Sequence, residues 1–158
     1  MKSILISIKP RFVAKILNGE KTIEIRKTKP NVDLPIDVYI YCTNDKNIYR
    51  GGYGDKIING KVVAKFTLKR ISNTYDFYEK ELLELAQISD DELFKYLGYN
   101  DAYAWHIDDL VIFDKPKELN EFYNRFPKAD KRFDGVKGKM LAYKPLTKAP
   151  QSWCYVEI

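Results

Sequence analysis

The chain has 158 residues, 45% hydrophobic and 31% charged, enough to bury a continuous core and unlike a disordered or fibrous composition. No apolar run approaches the roughly 20 residues of a membrane-spanning helix. Two cysteines without a Cys-x-x-Cys pair, and a single histidine, leave no ligand set for a structural zinc. The formal charge of +5 gathers in the first half: residues 1–79 carry 15 Lys or Arg against 8 Asp or Glu, residues 80–158 carry 12 against 14. That asymmetry fits an anionic partner for the first half, or simply a solvated basic surface.

In chain order, Ile4, Ile6 and Ile8 alternate with Leu5, Ser7 and Lys9 and predict a strand. Pro10 suits a first helical turn, where its missing N–H has no partner to lose. Phe12, Val13, Ile16 and Leu17 follow at helical spacing, and Asn18-Gly19 is a stop signal. Residues 22–26 alternate again, with Ile23 and Ile25 on one face and Glu24 and Arg26 on the other. Residues 29–35 form a polar turn, and 37–43 a strand rich in β-branched and aromatic residues. The glycines of 51–54 lack the Gly-Lys-Ser/Thr ending of a phosphate loop and read as a hairpin loop.

A strand is predicted over 61–71 and helical pieces over 74–99, where Ser89 and Glu92 have the spacing of a capping box and Gly98 a stop. Residues 101–113 return to strand character, 118–122 form a short helix, and 152–158 a closing strand. Between them, 126–150 holds prolines, glycines and many lysines, and reads as a long loop. The sum is a single α+β domain over 1–158, with five or six strands curled into a small sheet or barrel and short helices inserted. Cys42 and Cys154 sit in apolar-aromatic runs as reduced, buried thiols, and Lys9, Arg11 and Lys15 interrupt any apolar leader, so the expected location is cytoplasmic.

Chemistry concentrates in the opening unit. Lys9, Lys21, Glu24, Arg26 and Lys27 gather around a helix end and a short strand. There the cations could meet phosphate while the carboxylate accepts from a base or sugar, or Glu24 could pair with its neighbours on a solvated strand. Tyr103 and Trp105 share one face of a strand, as a stacking platform or as barrel core. His106 falls on the opposite face with Asp108, and no nucleophile is evident beside it, which favours a hydrogen-bonded structural histidine over a general base.

Two stretches resemble the ASCH domain, a branch of the PUA-like superfamily. They are Ser7-Ile8-Lys9-Pro10 and the run Ile16-Leu17-Asn18-Gly19-Glu20-Lys21-Thr22-Ile23-Glu24-Ile25-Arg26-Lys27. Ala104-Trp105-His106-Ile107 with Lys115-Pro116 looks like the strand that commonly closes that family's barrel. The resemblance implies a PUA-like β-barrel with a cleft beside the first helix, and members are associated with RNA binding or with hydrolysis of modified nucleosides. Amidohydrolases of this type acting on 4-acetylcytidine use a lysine and a threonine three residues later; here Lys21 matches and Glu24 replaces the threonine. A carboxylate there favours the charged ammonium, which weakens a nucleophilic lysine.

The expected function is therefore binding of RNA or a nucleotide-like ligand through Lys9, Lys21, Glu24, Arg26, Lys27, Tyr103 and Trp105. The alternative is a hydrolase of amidohydrolase or nuclease type, with Lys21 and Glu24 as catalytic groups. No cofactor or metal is called for, and an adaptor role for the lysine-rich 128–148 region stands as a weaker alternative.

Overall fold

The computed structural model describes residues 2–46, 58–125 and 143–158. Its opening unit follows the predicted order: β1 (Lys2–Ile8), α1 (Pro10–Leu17) and β2 (Ile23–Arg26). Pro10 occupies the first turn of α1, and the chain leaves the helix through Asn18 and Gly19, whose φ of 85° is one that only glycine adopts without strain. The helix buries Val13 and Ile16 against the sheet.

Next come β3 (Ile36–Cys42), β4 (Lys61–Leu68), β5 (Ile71–Asn73), α2 (Glu79–Ala86), α3 (Asp90–Leu97), β6 (Tyr103–His106), β7 (Asp108–Lys117), β8 (Tyr123–Arg125), β9 (Tyr143–Pro145) and β10 (Trp153–Glu157). Seven strands form one sheet in the order β7-β4-β3-β1-β10-β8-β9, and three form a second in the order β2-β6-β5. The chain is α+β, as expected. Among the described residues, however, neither sheet closes on itself, so two open sheets stand where a barrel of five or six strands was expected.

The miscount has local causes. The expected strand over 61–71 divides into β4 and β5 and thus enters both sheets. The expected strand over 101–113 divides at Ile107 into β6 and β7, with Asp109 at a φ of 49°. Strands of three residues such as β5, β8 and β9 are too short for periodicity to register. The glycines of 51–54 and most of the lysine-rich 126–150 region lie outside the described residues.

At the centre of the large sheet, β1 runs parallel to β3 (Ile4 opposite Val38, Ile8 opposite Cys42) and antiparallel to β10 (Leu5 opposite Cys154). Ile4, Ile6, Ile40, Phe66 and Trp105 share one core. The small sheet separates that core from a second one, in which Ile23, Ile25 and Ala104 pack on Leu82, Ala86 and Leu97 of α2 and α3. Ser89 caps α3 by accepting from the Glu92 amide at 3.2 Å. The Glu92 carboxylate reaches Arg11 at the start of α1 (2.5 and 2.9 Å). No helix among the described residues is long and apolar enough to cross a membrane.

Candidate functional site

Glu24 and Arg26 leave β2 on the face that looks toward β1, because Ile23 and Ile25 are committed to the α2–α3 core. Their positions are held by pairing with β6, Glu24 opposite Trp105 and Arg26 opposite Tyr103. Lys21 reaches the same place from the loop after α1. Its amide donates to the Lys15 carbonyl (2.9 Å), and the neighbouring Thr22 amide donates to Leu85 (3.0 Å), so the loop is clamped between two helix ends.

Three charges meet in this corner. Lys21 and Glu24 are only 4% and 6% exposed. Glu24 Oε1 accepts from the Arg26 guanidinium at 2.7 Å, and Oε2 lies 3.4 Å from Lys21 Nζ. Lys21 Nζ donates to the Ala86 carbonyl at 2.5 Å, at the C-terminal end of α2 where a helix carries partial negative charge. The Phe12 ring lies 5.1 Å from the same ammonium. Arg26 also donates to the Ser7 carbonyl (2.7 Å) and to Ile25 (3.1 Å). Among the described residues, two buried side-chain atoms have no hydrogen-bond partner: Glu24 Oε2, which keeps only its ion pair with Lys21, and Arg26 Nε.

Burial holds the Lys21 ammonium below its usual pKa range, and this outweighs the upward pull of Glu24; Arg26 and Lys15 add to the lowering. Glu24 does favour the charged ammonium, as the sequence reading expects, but it does not set the net direction. The carboxylate is present, but desolvation is the larger effect at this depth.

Of the residues singled out from the sequence, Lys21, Glu24 and Arg26 converge. Lys9 is the exposed N-cap residue of α1 and makes no hydrogen bond there with its side chain. Lys27 is exposed and lies over the Tyr96 ring at 4.8 Å. Tyr103 is half-buried beneath Lys29, at 5.4 Å. Trp105 is fully buried, edge-on to Trp153 at 5.5 Å, and its indole donates to the Thr28 carbonyl. It is core, and no free face remains for a base.

His106 lies on the far face of the small sheet. It shares a 2.8 Å hydrogen bond with Ser72, a partner the sequence did not reveal, and stacks near Phe77. Burial, with Arg70, lowers its pKa against the opposing effect of Asp108. Among the described residues, no three His, Cys, Asp or Glu side chains are grouped to hold a metal. The Ser7 and Ala86 carbonyls had no signal in the sequence, since a backbone acceptor is the same whatever residue carries it. Phe12 was legible only as helix core.

No protein-family model and no curated protein sequence matches the chain. Its structure is similar to that of an ASCH protein from Zymomonas mobilis, with a TM-score of 0.62 and 20% identity over 98% of this chain and 87% of the other. A tyrosine-to-phenylalanine variant of that protein superposes with a TM-score of 0.63 at 20% identity, over 99% and 91% of the two chains. A serine-to-alanine variant gives 0.63 at 19% identity, over 98% and 88%. The chain has the ASCH fold. Within that fold, the Lys21–Glu24–Arg26 corner lies where α1, the end of α2 and the small sheet meet.

Proposed function

We propose that this chain binds RNA or a nucleotide-like ligand at the Lys21–Glu24–Arg26 corner. The observation that carries the reading is a pair of buried atoms without a hydrogen bond, one an acceptor (Glu24 Oε2, held only by its 3.4 Å ion pair with Lys21) and one a donor (Arg26 Nε). A buried polar group left without a hydrogen bond costs about 1–3 kcal/mol, and more when charged. A ligand that brings one N–H or O–H and one acceptor answers both, and nucleobase edges carry such groups side by side. Two cations around one carboxylate also favour an anionic phosphate close by. The basic first half of the chain, the PUA-like character of the ASCH fold and the expected cytoplasmic setting support an RNA-derived ligand.

Titration of labelled single-stranded RNA and of nucleoside monophosphates at low salt tests this. Saturable binding is expected, weakened at least tenfold by Glu24→Gln. Absence of saturable binding to both, or equal binding by Glu24→Gln, refutes the reading.

A hydrolase is the second reading, favoured by the lowered Lys21 pKa, since a neutral amine is a base or nucleophile. Turnover of acylated cytidines or RNA would then rise with pH along a limb below 10.5, the ordinary lysine value, as Lys21 loses its proton. Turnover unchanged in Lys21→Ala excludes this role.

A further inference from the structure

Immediately after Arg26 the chain runs through Lys27, Thr28 and Lys29, all exposed, before Pro30 turns it inward. The segment is fixed at three points. The Trp105 indole donates to the Thr28 carbonyl (3.3 Å), the Trp153 indole to the Thr28 hydroxyl (2.9 Å), and the Asn31 amide to the Tyr155 hydroxyl (2.9 Å). On this rigid base two lysines each lie over a tyrosine ring, Lys27 at 4.8 Å from Tyr96 and Lys29 at 5.4 Å from Tyr103. Tyr103 is in turn the cross-strand partner of Arg26. Beside Lys27 and Tyr96 opens a depression of about 420 Å³, lined also by Asn100 and Asp101.

We propose that residues 26–29, with Tyr96 and Tyr103, form a track that guides an extended single strand of nucleic acid away from the buried corner. The inference rests on the binding role proposed above for that corner, and goes further by selecting a polymer over a free nucleotide. Each lysine–tyrosine pair offers a phosphate contact and a ring face in one place. When a phosphate draws the ammonium off the ring, a base can take the vacated face, exchanging a weak exposed cation–π contact for stacking. Asp101 orients the strand, because its carboxylate repels phosphate and accepts from a base amino group. Bases therefore face the depression while phosphates follow the lysines. A similar pair, Lys2 over Tyr155 at 4.1 Å, sits directly across from Glu157, whose charge disfavours a phosphate, so the track comprises two pairs.

The test compares a labelled uridine trinucleotide with uridine monophosphate, and with a longer, stably paired RNA duplex, over a range of salt concentrations. The wild-type protein is expected to bind the single-stranded trinucleotide at least tenfold more tightly than the monophosphate. Lys27→Gln/Lys29→Gln should bring that ratio toward one and reduce the slope of log K against log salt by about 1.4, about 0.7 for each phosphate of a single strand. Lys27→Arg/Lys29→Arg should retain both. An unchanged slope in the glutamine variant, a trinucleotide bound no better than the monophosphate, or a duplex bound as tightly as the single strand overturns the track. If the trinucleotide binds with the expected slope loss while Glu24→Gln has no effect on either ligand, the track stands and the corner is not the ligand site.

Discussion

Replacing Glu24 with alanine removes the carboxylate that holds the buried Lys21 ammonium and the partly buried Arg26 guanidinium. At 2.7 and 3.4 Å, its attractions to Arg26 and Lys21 come to about 5–6 kcal/mol each at an effective dielectric of 20, and much of this is offset by desolvation of all three groups. What the single substitution exposes is the uncompensated part, about 3–5 kcal/mol. For a chain of this length each kcal/mol moves the melting temperature by about 2–4 °C, so a fall of about 6–20 °C is expected by circular dichroism.

The deficit should also depend on pH in a definite direction. In Glu24→Ala the chief influence raising the Lys21 pKa is gone, while burial and Arg26 still lower it. The folded variant then releases the Lys21 proton below 10.5, and the unfolded chain releases it only near 10.5. Between those values the unfolded state holds more protons, so stability rises with pH. The deficit against wild type should accordingly be smaller at about pH 9.5 than at about pH 7. A melting temperature within about 2 °C of wild type, or a deficit that grows with pH, would refute the paired, desolvated arrangement.

Other consequences are simpler to measure. Because the folded His106 pKa lies below the usual 6.5, the unfolded state takes up a proton first as pH falls. Wild type should therefore lose stability below about pH 6.5, and His106→Asn should flatten that limb in acid melts. Burial raises Cys42 to about 12 and Cys154 to about 11, so neither should react with a thiol reagent at neutral pH until the chain is unfolded. Immediate labelling of either in the native protein contradicts its packing. Ser89→Ala removes the acceptor for the Glu92 amide and should cost about 1 kcal/mol, and a change below about 0.3 kcal/mol would mean that the cap contributes nothing.

Much of the opening unit was written in local pattern. Alternation over Ile4, Ile6 and Ile8, Pro10 at a first turn and Gly19 after a last one each act through neighbours a few residues away, so β1, α1 and β2 could be read directly. The same alternation put Glu24 and Arg26 opposite Ile23 and Ile25, as observed. The α3 cap was half legible. Ser89 accepts from Glu92 as the spacing suggests, but the Glu92 side chain is taken by Arg11, 81 residues away in sequence.

Depth and distant pairing were decided elsewhere. Trp105 became core because Trp153, from the last strand, packs on it, and Lys21 became a desolvated ammonium because the end of α2 arrives over it at Ala86. The division of the strands between two sheets follows from bends after Leu68 and at Ile107 that commit each half to a different partner. The chain order of residues determines which side chains share a face, because that is a property of backbone geometry over a few residues. Whether such a face ends up in water or in a low-dielectric corner depends on what packs over it from remote parts of the chain. For Lys21, Glu24 and Arg26, that burial turns a cluster of surface-type residues into a site.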